Sequence, residues 1–399
     1  MPKLRVAMIS TWPGSDSSTS GGVAGYTRGL ADMLAPNSEV TVLADTGASA
    51  NGSACAVVPT WNPGMLTASM LHRALRELDP DVVHVQHELF LYGSVPSAVA
   101  FPSWLHSIAR LRPTVVTVHG VVSGDQMDRV LLRGRVPRPL TPLAQSIVRA
   151  IFRGIARSPA MKVVHGPALA TRLIEYGAQE SDIAIAPIAA PSLSGIPGRN
   201  ASREEARTHL GIPADARVVL SWGFLNTYKG FDELLSGFEK FRARHPDAML
   251  ILGAGVHPKL RSDARYLHEH AALVQRARRS DGVRYVGFIP VSQLSDYVIA
   301  ADVAVFAYTH YVAASGPAAD SAALGAPVLL SSAFEDAPPI LTFTPHPDEI
   351  ARKLEDFFAS PKVFADETAR LTSDASKERI RRSHEAIYAR AIDRFFGRA

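Results

Sequence analysis

Lys229 lies in the run Gly223-Phe224-Leu225-Asn226-Thr227-Tyr228-Lys229-Gly230, between an apolar segment ending at Trp222 and the amphipathic FDELLSGFEKF. An ammonium at a strand-to-helix turn, close to free helix N–H groups, suits a diphosphate; a solvated surface lysine is the alternative. A second stretch, Ser315-Gly316-Pro317, leads into an alanine-rich segment whose single acid is Asp320. Pro317 fits the start of a helix, where its missing N–H costs nothing, and Ser315 and Gly316 form an uncluttered cap. Asp320 near a helix N-terminus is favoured by the macrodipole, so a capped buried helix competes with an anion or ligand site. Two glycine-bearing strand ends complete the set. Leu252-Gly253-Ala254-Gly255 is too small to block a flat ligand, and Gly287-Phe288-Ile289-Pro290 offers a backbone edge able to read a base.

The first half carries its own candidates. Gly21-Gly22 closes a long loop of small residues at the start of an amphipathic helix, where backbone N–H groups can approach a phosphate; a loop tip is the alternative. It does not follow the GxGxxG pattern of a nicotinamide pocket. Thr117-Val118-His119-Gly120 places His119 at a strand's carboxyl end, which points its ring into a cleft unless it is a structural histidine. In His84-Val85-Gln86-His87-Glu88, alternation sets His84 and Gln86 on one face and His87 and Glu88 at the strand's mouth. These residues do not form the helical HExxH arrangement, so the reading has no metal.

The elements that must position these residues are short Val/Ile/Leu runs alternating with helical stretches, the pattern of parallel sheets covered on both faces. Strands are expected at LRVAMIS, VTVLAD, DVVHVQH, PTVVTVHG, MKVVHG and DIAIAPI, then at ARVVLSWGF, AMLILGAG, VRYVGFI, VAVFAY and PVLLSS. A chain of 399 residues calls for two domains or more. Pro, Gly, Asn and charge cluster near residues 190–205, which divides the chain into an N-terminal domain over 1–195 and a C-terminal domain over 196–375. A helical tail over 376–399 could pack back on the first domain. The fold class is α/β, two Rossmann-like doubly wound parallel sheets facing a cleft, with ligands at the carboxyl ends of the strands.

Composition narrows the partners. A formal net charge of +4 does not call for nucleic acid, and the single Cys55 rules out an internal disulfide and fits a reducing compartment. The opening MPKLRVAMISTWPG lacks the apolar core of a signal peptide, and no window is apolar enough to span a bilayer. The expectation is a cytoplasmic protein. Residues 129–162 carry no acid while Arg133, Arg135, Arg138, Arg149, Arg153 and Arg157 punctuate apolar sequence. Such a surface would suit anionic lipid at the inner face of a membrane or an anionic or lipid-linked acceptor. Equally, Ile147, Ile151 and Ile155 would face a core with the arginines solvated.

In order and spacing, Gly21-Gly22-Val23, His119, Lys229-Gly230, the glycine-bearing strand ends, Ala301-Asp302-Val303 and Asp320 through Val328 resemble the family-4 glycosyltransferases, retaining enzymes of GT-B architecture. The resemblance covers nearly the whole chain. It implies an N-terminal acceptor domain and a C-terminal domain for a nucleotide-diphosphate sugar of the GDP-mannose or UDP-glucose type, with no metal or other cofactor. It places Gly21 and Gly22 near the donor, His119 on the transferring sugar, Lys229 on the diphosphate and Asp320 on the ribose hydroxyls, a role a carboxylate can fill by accepting from both. Two positions depart from the pattern. Phe224 stands where an arginine is usual, and Val312 where the first of two glutamates is usual. Ser315-Gly316 marks a branch in which a Ser-Gly turn replaces the acidic one, its N–H groups and hydroxyl taking over diphosphate contacts. The implied activity is hexosyl transfer to a glycan, glycolipid or small-molecule hydroxyl, with Lys229 and His119 as catalytic groups and Glu88 contacting the acceptor. The alternative is a non-catalytic nucleotide-sugar-binding subunit supporting a partner enzyme.

Overall fold

The structure is a computed structural model that describes residues 3–14, 22–49, 53–64, 67–122, 127, 136–188, 202–257, 260–310, 315–373 and 376–397. Gly21, Val312, Arg133 and Arg135 lie outside the described residues. The chain divides into two compact units, one formed by Met1–Pro191 with Ala375–Ala399 and the other by Ser192–Asp374.

The first unit runs β1 (Leu4–Ile9), α1 (Gly22–Leu34), β2 (Ser38–Asp45), β3 (Ala56–Trp61), α2 (Thr67–Leu78), β4 (Val82–His87), α3 (Val95–Leu111), β5 (Thr114–Val118), α4 (Thr141–Ala156), β6 (Met161–Val164), α5 (Pro167–Glu175) and β7 (Ile183–Ile185). The second runs α6 (Arg203–Leu210), β8 (Arg217–Phe224), α7 (Phe231–Arg242), β9 (Ala248–Gly255), α8 (Ala264–Arg279) and β10 (Val283–Tyr285), then α9 (Val291–Ala300) and β11 (Val303–Phe306). It finishes with α10 (Gly316–Ala323), β12 (Val328–Ser331), β13 (Thr342–Phe343), α11 (Pro347–Ala359) and α12 (Pro361–Ser373). The last helix, α13 (Lys377–Phe395), belongs to the first unit.

The seven-stranded sheet has the order β3-β2-β1-β4-β5-β6-β7 and the six-stranded sheet β10-β9-β8-β11-β12-β13. Every pairing in both is parallel. Central strands such as β4, β5, β6, β11 and β12 are buried along their whole length, as two covered faces require. In each sheet the order reverses once, between β1 and β4 and between β8 and β11. A crevice forms at such a point, because the connections on either side leave in opposite directions.

Two strands differ from the sequence expectation because both are edges. β3 carries Pro59 and is mostly exposed, and β13 is two residues long, so neither shows a buried apolar run. The expected strand VRYVGFI stops at Tyr285, where Gly287 turns the chain with φ +72°. Helix α13 reaches the first core through Ile380, Ile387, Tyr388 and Ala391. Arg394 pairs with Asp182, Arg390 donates to the Ser181 carbonyl at 2.9 Å, and the fully buried Lys162 ammonium lies 3.6 Å from the same Asp182. Among the described residues no helix is long and apolar enough to cross a membrane.

Candidate functional site

In the second unit the candidate residues gather at the carboxyl ends of β8 and β11, the reversal point of that sheet. Gly223 is the penultimate residue of β8 and has a φ of +138°, a conformation that favours glycine. The exposed Asn226 opens a 3₁₀ turn over Thr227–Lys229, and its carbonyl accepts the Lys229 N–H at 2.9 Å. Gly230 then enters α7 with φ +64°, and any Cβ there would overlap the Ala307 carbonyl, so this position requires glycine. The Thr309 N–H donates to the Tyr228 carbonyl at 2.7 Å and ties the two loops together.

Folded back by this turn, Lys229 is buried rather than solvated. Its ammonium donates to the Tyr308 hydroxyl at 2.6 Å and lies 4.6 Å from the centroid of that ring and 5.8 Å from that of Tyr228. A Cβ on Gly223 would sit 3.1 Å from the Lys229 nitrogen and 3.4 Å from Pro317, so Gly223, Lys229 and Pro317 meet at one point. The Tyr308 hydroxyl is 2.7 Å from Ser315 Oγ, which caps α10 by accepting the Ala318 N–H at 3.3 Å. Burial pushes the Lys229 pKa below its ordinary value, with Tyr228 opposing, and burial raises that of Tyr308. Among the described residues no carboxylate forms an ion pair with Lys229. A buried cation held by a neutral hydroxyl carries a desolvation cost that an arriving anion would offset.

Asp320 is buried one turn into α10. Its neighbour Ser321 accepts the Trp222 indole N–H at 2.9 Å, which fixes the helix to β8. Among the described residues a Cβ on Gly316 would meet nothing within 4 Å, so the start of α10 is open on their side. The other strand-end glycines are not. A Cβ on Gly253 would strike Ile289 and Trp222, and one on Gly255 would strike Phe288. Their small size therefore serves close packing of the following loop, which corrects the expectation of free space for a flat ligand. Phe288 stacks on Phe224, rings 5.7 Å apart and 11° from parallel, so the residue standing in the arginine's place belongs to an aromatic pair.

The first unit holds a different kind of cluster. His119 is 8% exposed, its ring largely covered by neighbouring side chains. The edge of Tyr26 covers it at 4.8 Å, and its nitrogens lie 2.9 Å from Gln86 Oε1 and 3.0 Å from His165 Nε2. His87, expected at the strand's mouth, is buried instead against Phe101 of α3 and Phe152 of α4. Glu88 is exposed, and a Cβ on Gly22, the first residue of α1, would meet nothing within 4 Å among the described residues.

Donor and acceptor logic orders this network. His165 Nδ1 faces the Ala186 carbonyl at 3.1 Å and must carry a proton, so its Nε2 accepts from His119 Nδ1–H. With the Gln86 oxygen toward His119, the two rings would share one positive charge; with the amide NH₂ there, both are neutral. Burial pushes His119 well below its ordinary pKa and His165 down to about 4, which selects the neutral arrangement. Further along, His84 lies 3.3 Å from Gln86, 2.7 Å from Thr117 and 2.7 Å from the Tyr388 hydroxyl of α13. The sequence reading did not single out Tyr308, Tyr26, His165 or Tyr388. Val118-His119-Gly120 and Val164-His165-Gly166 repeat one signature at the ends of neighbouring strands, and that repeat was the available signal for His165.

Two parallel-sheet α/β domains in one chain are consistent with the GT-B fold. Solved structures with this fold cover nearly the whole chain: Anabaena HepE in complex with UDP (TM-score 0.69, 14% identity, 97% of this chain and 100% of that one) and a Thermosynechococcus elongatus sucrose-phosphate synthase (0.68, 19%, 100% of both). Residues 20–189 match the model for Glycosyltransferase Family 4 and residues 202–379 that for Glycosyl transferases group 1. The chain thus joins a Glycosyltransferase Family 4 domain to a Glycosyl transferases group 1 domain. Among characterised relatives, the mannosylfructose-phosphate synthase of Agrobacterium fabrum is 29% identical over 44% of this chain and 38% of its own length. The D-inositol 3-phosphate glycosyltransferase of Kineococcus radiotolerans is 27% identical over 60% of this chain and 53% of its own. The chain thus matches about half or less of the length of these relatives.

Proposed function

We propose that the protein is a retaining hexosyltransferase that takes its sugar from a nucleoside-diphosphate donor held in the second unit. The observation that carries this reading is the buried Lys229 ammonium, held by neutral partners next to the open Ser315-Gly316-Pro317 start of α10. A diphosphate leaving group gains charge as the glycosidic bond breaks, and a preorganised cation with helix N–H groups stabilises that charge without reorganising. The acceptor hydroxyl attacks from the face of the departing diphosphate, which takes the proton, so no side chain has to act as base and no metal is called for. Asp320 accepts from the ribose hydroxyls. His119, neutral and fixed in tautomer, positions the sugar. HepE was solved with UDP and with UDP-glucose, which supports a nucleotide-sugar donor.

On the acceptor side, both characterised relatives are named for phosphorylated sugars or polyols. A phosphorylated or lipid-linked acceptor also suits the basic stretch 129–162. Within it Ile151 and Ile155 of α4 face the core, whereas Leu140 and Leu143 are exposed near Arg138. Membrane attachment therefore rests on the start of α4, and flotation with anionic vesicles checks it: no binding removes the membrane from the reading.

The decisive experiment pairs a nucleoside-diphosphate thermal-shift screen with donor turnover. GDP or UDP should raise the melting temperature, and Lys229→Ala should abolish the shift and cut turnover by roughly 10²-fold. Binding without turnover across several acceptors would favour a non-catalytic subunit, and an unchanged Lys229→Ala variant would remove the diphosphate site.

A further inference from the structure

Tyr308 sits just past β11 and is 3% exposed. Its carbonyl accepts the Ser331 hydroxyl at 2.6 Å, and its ring packs on Phe334 at 4.8 Å and edge-on to Tyr228 at 5.5 Å. The side chain is therefore fixed on every side before any ligand arrives. Among the described residues its hydroxyl has two hydrogen-bond neighbours, the Lys229 ammonium at 2.6 Å and Ser315 Oγ at 2.7 Å. An ammonium only donates, so the phenol oxygen accepts from Lys229, and one proton is shared between the phenol and Ser315. Lys229 has three N–H groups, and Tyr308 takes one of them.

We propose that Tyr308 is the positioning residue of the diphosphate site, its hydroxyl bridging Lys229 to the cap of α10 and so aiming the ammonium and the helix N-terminus at one anion. This rests on the reading that Lys229 meets the donor diphosphate. A free lysine side chain samples many rotamers, and ordering it on binding costs affinity. A rigid phenol clamped between β11, β12 and α10 meets that cost during folding. It also accepts from a cation that has no arginine beside it, since Phe224 turns to Phe288 instead.

The test is Tyr308→Phe, which keeps the ring, its packing and its face toward the cation while deleting one oxygen. Affinity for GDP or UDP should fall about ten-fold, as expected for one hydrogen bond to a charged group, while affinity for the parent nucleoside is unchanged. Among the described residues the titratable groups facing the ammonium are Tyr228 on its own turn and Tyr308. Losing the Tyr308 acceptor disfavours the charged form, so the alkaline limb of diphosphate affinity should move to lower pH. Ser315→Ala, which leaves the Lys229–Tyr308 bond in place, should give a smaller loss and no movement of that limb. If Tyr308→Phe keeps both the wild-type preference for diphosphate over nucleoside and the wild-type limb, while Lys229→Ala loses the preference, Tyr308 is only packing and the proposal is overturned. If Lys229→Ala also binds normally, the underlying diphosphate reading falls instead.

Discussion

The two polar clusters are built on the same topology and solve opposite problems. In the first unit, Tyr388, His84, Gln86, His119 and His165 satisfy one another and end on the Ala186 carbonyl, so the network is complete with every imidazole neutral. In the second, Lys229 carries a charge into a buried site and meets a hydroxyl and aromatic faces. The first arrangement fixes shape: a closed network of neutral groups orients His119 and costs nothing further when a sugar arrives. The second stores an electrostatic demand, which is what a site for an anion needs. A satisfied cluster is tested by disturbing its protons, an unsatisfied one by supplying its counter-charge.

The largest effect should come from acid. Burial lowers the pKa of His87 to about 3 and of His165 to about 4, and moves His84 and His119 the same way. These groups are neutral in the folded chain and charge in the unfolded one near pH 6.5. Their contribution is thus full above about pH 6.5 and is lost as pH falls toward the folded values. At pH 5 the loss is on the order of 2 kcal/mol for each of His87 and His165. Corrected for the intrinsic exchange rate, amide protection at pH 5 relative to pH 7.5 should fall first in β4, β5 and β6; an equal fall in β8 and β11 would break the comparison. Next in size is Gln86→Leu, which removes the partner of His119 Nε2 and leaves a buried acceptor unpaired. It should cost about 2–3 kcal/mol in denaturant unfolding of the first unit while leaving nucleotide binding intact. Loss of nucleotide binding in that variant would mean that the clusters are not separate devices.

Much of this was legible in the sequence, and the physics says which part. Strands buried on two faces read as unbroken Val/Ile/Leu runs, so both sheets were visible except for the edge strands β3 and β13. Lys229, Gly230, Ser315 and Asp320 were visible because strand-to-helix turns need particular residue types at fixed offsets. The state of each side chain was not. Whether His119 is open or covered depends on Tyr26, Gln86 and His165, which come from three other segments. Tyr308, ending an apolar strand, looks like any other core aromatic until Lys229 folds back upon it. Tyr388 lies 304 residues from the histidine it binds, beyond any local pattern. Residue type and spacing located the candidate site, and only tertiary contacts set its protonation.

The third and smallest signal is the most specific to the second cluster, because it follows one proton. Burial holds the free-state pKa of Lys229 below its ordinary value, and a bound diphosphate would raise it by stabilising the charged form. Between those two values, binding must be accompanied by uptake of up to one proton, and affinity must weaken as pH rises through the free-state pKa. Calorimetric titration of GDP or UDP at alkaline pH, in buffers of different ionisation enthalpy, reads that uptake directly. The uptake should vanish in Lys229→Ala. The neutral imidazoles of the first unit should contribute nothing, since their folded pKa values lie far below the range titrated. Uptake that survives in Lys229→Ala would place the responsive proton elsewhere and dissolve the contrast between a closed network and an expectant one.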